Sequence, residues 1–125
     1  PETLDYLAAQ DPARIQIIRH AGPFNFSRIN NRAVAMSSGE LICLLNNDIE
    51  VLDPKWLAIM ATQALRDDVG AVGAQLLYPD GRIQHAGVAI GIGDATGHAH
   101  RFVRPEAEGY FRRHALPQFV SAVTA

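Results

Sequence analysis

The stretch that most constrains this chain is Leu41-Ile42-Cys43-Leu44-Leu45 running straight into Asn46-Asn47-Asp48. Five consecutive apolar residues without polar alternation describe a strand covered on both faces, the situation of a parallel strand between helix layers. Open α/β sheets bind ligands beyond the carboxyl ends of such strands, so the pattern places Asp48 at the mouth of a crevice. The competing reading is local: Asn, Asn and Asp all favour turns and hydrogen bonds to nearby backbone, and the three would then simply begin a bend.

Composition frames that choice. A chain of 125 residues, 48% hydrophobic and 19% charged, fits one ordinary globular domain able to bury a core. Its formal net charge of -2 supplies no basic stripe for a phosphate backbone, which argues against nucleic acid as a partner. Arg101, Arg104, Arg112 and Arg113 are spaced like a solvated face. Cys43 is the single cysteine; inside the apolar run it reads as a small buried hydrophobe, and a reducing compartment is permitted. No apolar stretch reaches the roughly 18 residues of a membrane span.

Along the chain, Leu4, Leu7 and Ala8 have helical spacing, and Ile15 to Arg19 reads as a short strand ended by His20-Ala21-Gly22-Pro23. A second helix follows, with Asn25 or Ser27 as N-cap, an apolar face of Phe26, Ile29, Ala33 and Met36, and Gly39 beyond its end. With the strand Leu41 to Leu45 this gives a β-α-β order, hence parallel pairing and a right-handed crossover. Asp53-Pro54 opens a third helix whose stripe is Leu57, Met60, Ala61, Ala64 and Leu65. Val69 to Tyr78 and Ile83 to Ile92 are β-rich and flank Pro79-Asp80-Gly81-Arg82, which predicts a hairpin. Residues 93–105 read as a loop, and 118–125 alternate as a strand would. Both ends read as cuts, so the expectation is a piece of a longer protein.

Asp48 is the leading metal candidate, because hard divalent cations take one or two protein carboxylates while phosphates and water fill the other positions. Glu50 is a weaker second, and Asp53 already has a capping role. Asn30-Asn31-Arg32 sits mid-helix, where asparagine is a poor helix former, so either an exposed polar face or a nucleotide contact accounts for it. His85, His98 and His100 lack the spacing of a zinc site; for His85, strand packing or a hydrogen bond on its acceptor side is the better reading. No phosphate loop ending in Lys-Ser/Thr and no Gly-x-Ser-x-Gly elbow is present.

Three segments, Asn25 to Ala33, Ser38 to Val51 and Tyr78 to Val88, together resemble family 2 of the inverting, nucleotide-sugar-dependent glycosyltransferases, and the third is similar to the bacterial rhamnosyltransferase-like members. The resemblance implies a Rossmann-like A-type α/β fold, a mixed and mostly parallel sheet with flanking helices, of which residues 1–125 would be the central part, truncated at both ends. It implies that Asp48 matches the last acid of the family's Asp-x-Asp element and holds a divalent metal, Mn²⁺ or Mg²⁺, on the donor's diphosphate. Asn46 stands where the family often has its first acid, which removes one negative charge. Asn31 matches the asparagine of the preceding helix and, with Asn46, Asn47 and Asp48, would contact the donor.

The expected activity is transfer of a sugar from a nucleotide-diphospho-sugar to an acceptor hydroxyl, of a saccharide, lipid-linked molecule or protein, with inversion. The fragment by itself is expected to be inactive. No catalytic base can be assigned, with Asp94, Glu106 and Glu108 only guesses, and the family's base lies downstream. The alternative is a non-catalytic binding or assembly domain on the same scaffold. The expected location is the cytoplasm, at the inner membrane surface for the whole protein, and unpaired sheet edges would favour a homo-oligomer.

Overall fold

The computed structural model describes residues 2–92 and 95–124. The chain divides into two compact units, Pro1–Leu44 and Leu45–Ala125.

The first unit contains helices α1, Glu2–Ala8, and α2, Phe26–Ala35. Asn25 is the N-cap of α2: its backbone is extended and its side chain accepts from Arg28 N at 2.9 Å. This satisfies one of the donors that a helix start leaves unpaired. Ile29 and Ala33 of the expected face are half-buried while Phe26 and Met36 stay exposed. The helix closes at Met36, ahead of Gly39, as the Ser37 hydroxyl donates back to Ala33 O at 2.9 Å. Ile15 to Arg19 is not a strand. Ile15 and Ile17 are exposed, and the Arg19 carbonyl accepts from Arg32 Nη1 at 3.1 Å in place of a ladder bond.

The apolar run Leu41 to Leu45 is the main correction. It is neither helix nor strand, every residue of it is exposed, and Cys43 is exposed with it instead of buried. Five apolar side chains make a buried strand only when neighbouring strands take up the backbone groups and helices cover both faces, and among the described residues no strand pairs with this run.

In the second unit helix α3, Trp56–Ala64, starts later than expected: its N-cap is Lys55 and Pro54 lies ahead of it in a turn, because the Asp53 carboxylate accepts Lys55 N at 2.8 Å and does not cap the helix itself. Met60, Ala61 and Ala64 of the expected stripe are half-buried, whereas Leu57 and Leu65 are exposed. The predicted hairpin forms in shortened shape: β1, Leu76–Leu77, pairs antiparallel with β2, Ile83–His85. Gly81 N donates to Tyr78 O at 2.8 Å across Pro79-Asp80, so proline and glycine occupy the positions a tight turn favours. Arg82 N and its guanidinium both donate to Asp80, and these two bonds, in that order, hold the Asp80 carboxyl below the usual carboxylate range.

Gly87, at φ +102°, breaks the long expected strand, and β3, Val88–Ile92, begins beyond it. β3 pairs antiparallel with β4, Ala95–His98, a strand inside the stretch expected to be loop; residues 93 and 94 lie outside the described residues. The final segment contributes one antiparallel bridge, Val88 to Ala122. A side chain at Gly87 would lie 2.5 Å from Val120, and one at Gly73 would lie 2.7 Å from Val123, so both glycines permit the close approach of this segment. All strand pairs among the described residues are thus antiparallel, in place of the mostly parallel sheet expected.

The most enclosed residues, Ile83, His85, Gly87 and His114, lie in this second unit. The loop after β4 folds back on β2 through Phe102 N to Ile83 O and Ile83 N to Val103 O, both 2.8 Å. It turns by placing His100 and Phe102 at positive φ, +59° and +67°. Phe102 stacks on Tyr78 at 5.4 Å between centroids, and Arg101 donates to the Tyr78 hydroxyl from Nε at 2.9 Å and Nη2 at 2.7 Å. No described helix is long and apolar enough to cross a membrane.

Candidate functional site

Asn46, Asn47 and Asp48 lie together in the second unit, with a turn at Asn47 and Asp48, and all three are exposed. No hydrogen bond or ion pair joins Asp48 to another described side chain, so its carboxylate is held out for an external partner or for water. Asn31, the fourth expected contact, is exposed on α2 of the first unit. Its neighbour Asn30 explains part of the mid-helix asparagine pair, since Nδ2 donates back to Phe26 O at 2.9 Å, the local bond that short polar side chains make inside helices.

The chemistry of this donor set limits what it can hold. Among the described residues no three His, Cys, Asp or Glu side chains converge on a common point, so an all-protein metal cage does not fit. A cation that keeps several waters and shares phosphate oxygens needs only one or two carboxylates, and Asp48, with Glu50 two residues on, fits that kind of metal. Two surface depressions, of about 490 and about 320 Å³, are lined by Glu108 to Arg112 and by residues between Leu7 and Ile17 respectively, and neither includes the Asn46–Asp48 turn.

Three carboxylates stand as candidates for a base. Asp94 lies outside the described residues. Glu106 is exposed and 3.9 Å from Arg104, and Glu108 borders the larger depression.

Four of the five histidines are arranged in two pairs. His85 is 1% exposed, with Nδ1 3.1 Å from His98 Nδ1, and its Nε2 accepts from Gly87 N at 3.3 Å and from Thr124 N at 3.4 Å. Burial first, and then the facing His98, push its pKa below the ordinary histidine value. These contacts occupy both ring nitrogens, in line with packing and acceptor-side hydrogen bonding and not with ligation. His100 faces His114 at 5.5 Å between ring centroids; burial, then His114 and Arg113, lower its pKa. His114 donates from Nε2 to Pro105 O at 3.0 Å, its carbonyl accepts from Gln75 Nε2 at 2.7 Å, and its Nδ1 is buried with no hydrogen-bond partner among the described residues. His114 and Gln75 carry no distinguishing sequence signal, because nothing in their local pattern announces a contact 39 residues away.

Comparison with known proteins gives this arrangement its class. Residues 1–120 match the model of glycosyl transferase family 2. The chain belongs to that family, and family membership implies a Rossmann-like α/β fold. It is 54% identical over 112 residues to the uncharacterized protein y4gI of Sinorhizobium fredii, covering 90% of this chain and 12% of that protein. It is 47% identical over 98 residues to the O-antigen biosynthesis protein RfbC of Myxococcus xanthus, covering 78% of this chain and 8% of that protein. The chain therefore spans only a small part of the length of these relatives. No solved structure matches it.

Proposed function

We propose that the whole protein transfers a sugar from a nucleotide-diphospho-sugar to an acceptor hydroxyl in polysaccharide assembly, with inversion at the anomeric carbon, and that this chain carries part of the donor site. The observation that carries the reading is the family match over residues 1–120, which encloses the exposed Asn46-Asn47-Asp48 turn. The O-antigen biosynthesis role in the name of the Myxococcus relative supports a saccharide or lipid-linked acceptor.

In this reading Asp48, with Glu50 as a second oxygen donor, would hold a divalent cation at the donor's diphosphate. When bound, such a cation supplies Lewis-acid stabilisation of charge on the departing diphosphate. Asn46 and Asn47 present neutral amide groups that donate to phosphate or sugar oxygens without adding charge. Having one acid fewer at position 46 makes cation affinity depend more strongly on the phosphate oxygens. The base that takes the acceptor proton comes from another part of the protein.

The test is turnover by the whole protein with a panel of nucleotide sugars and Mn²⁺ or Mg²⁺. Asp48→Ala is expected to lower kcat/KM about 100-fold, in the range for loss of one charge-stabilising group. Unchanged metal-dependent turnover would remove Asp48 from the site. A second reading, a binding module without chemistry, is favoured by Asn46 standing in place of an acid. It predicts nucleotide-sugar binding with no transfer under any metal.

A further inference from the structure

We propose that His85 is a proton-controlled latch that holds segment 120–124 against the turn between β2 and β3, and that uptake of one proton by its ring releases the segment.

The hydrogen positions are forced by the partners. Both contacts of His85 Nε2 come from backbone N–H groups, those of Gly87 at 3.3 Å and Thr124 at 3.4 Å. A backbone N–H only donates, so Nε2 carries no hydrogen and the neutral ring keeps its one hydrogen on Nδ1. That hydrogen meets His98 Nδ1 at 3.1 Å, which must then accept, leaving the hydrogen of neutral His98 on its Nε2. Only this arrangement satisfies all three contacts.

A proton added to the pair has two places to go, and each sets donor against donor. On His98 Nδ1 it faces the His85 N–H; His98 is exposed and can turn its ring to water. On His85 Nε2 it faces the N–H groups of Gly87 and Thr124 together. His85 is 1% exposed, so its charged ring reaches water only if the covering segment moves away. The same segment is tied by the Val88–Ala122 bridge, Gln118 just ahead of it donates from Nε2 to Ala86 O at 3.3 Å, and Val120 sits where a side chain at Gly87 would be.

The loop that folds back on β2 carries His100, Arg101 and Arg104, which are engaged elsewhere, by His114, the Tyr78 hydroxyl and Glu106 respectively. Residues 86–88 and 120–124, and Leu76 and Leu77 of β1, have no ionisable side chain, and on β4 the facing group is His98. Burial and His98 both lower the pKa of the latched ring, whereas a released ring titrates near about 6.5. Between those values the released state binds more protons. The latch is therefore fully closed above about pH 6.5 and weakens as pH falls, by at most about tenfold per unit for one proton.

Hydrogen exchange on the whole protein, corrected for the intrinsic pH dependence of exchange, tests this. Peptides covering 86–88 and 118–124 are expected to lose protection by about three- to tenfold per pH unit below pH 6.5, while the α3 peptide, Trp56–Ala64, holds its protection. His85→Gln keeps an acceptor oxygen for the two N–H groups but cannot titrate, so its protection is expected to be independent of pH. His100→Gln is expected to leave the wild-type slope intact. A flat wild-type profile, an equal slope in α3, or a wild-type slope surviving in His85→Gln overturns the proposal. Should His85→Gln fail to fold, the wild-type comparison between the latched segment and α3 decides alone.

Discussion

Residues 41–52 and residues 76–124 are both rich in apolar side chains, yet they end in opposite conditions. Leu41, Ile42, Leu44 and Leu45 are 40–57% exposed, and Asp48 beside them has no described side-chain partner. In the other region Ile83 is 0% exposed and its backbone bonds to Phe102 and Val103, and the same region holds a stacked aromatic pair and a histidine pair. Antiparallel neighbours joined by a tight turn bring their own hydrogen-bond partners from nearby in sequence. A strand meant for the middle of a parallel sheet depends on partners from distant segments, and without them its apolar side chains stay in water. The first region stays open while the second, nucleated by a tight turn, closes further through the Val88–Ala122 bridge.

Substitutions can break or sharpen this contrast. The largest effect is expected at Gly87→Val: a positive φ and Val120 2.5 Å from the new Cβ combine backbone strain with overpacking, for a loss of about 3 kcal/mol or more in the 76–124 region. Hydrogen exchange of residues 86–88 and 118–124 measures it, and near-wild-type protection there contradicts the close packing. Asp48→Ala comes next, with the roughly 100-fold fall in kcat/KM corresponding to about 2.7 kcal/mol, while thermal unfolding of the whole protein shifts little because the side chain is exposed. A large stability loss would mean that the turn is structural. Asn25→Ala removes the α2 cap and is expected to destabilise that helix by about 1 kcal/mol, read as faster exchange at residues 28 and 29. The smallest change is expected for Leu44→Ser, within about 0.5 kcal/mol if the run stays in water. A loss of several kcal/mol there would show that other parts of the whole protein cover the run.

Legibility in the sequence follows the same division. Asn25 as a cap, Asp53 before α3 and Pro79-Asp80-Gly81 as a turn were readable because each acts through backbone two or three residues away. The pattern from Ile83 to Ile92 predicts a longer strand than the structure has, since it does not reveal that Gly87 adopts a positive φ and lets Val120 approach. Glycine and histidine hide the β4 strand, and the apolar pattern around Cys43 predicts burial although its sequence neighbours supply no cover. Within the candidate site, the turn at Asn47 and Asp48 was legible from residue type. The pairings of His85 with Thr124 and of Gln75 with His114 span 39 residues each, and no local pattern encodes them.

The central claim is that Asp48 holds a cation against the donor diphosphate. Calorimetric titration of a nucleoside diphosphate into the whole protein, with and without Mn²⁺, addresses it most directly. Mn²⁺-strengthened binding is expected in wild type, with loss of that strengthening in Asp48→Asn, which keeps size but removes the charge. Equal strengthening by Mn²⁺ in both proteins would contradict it.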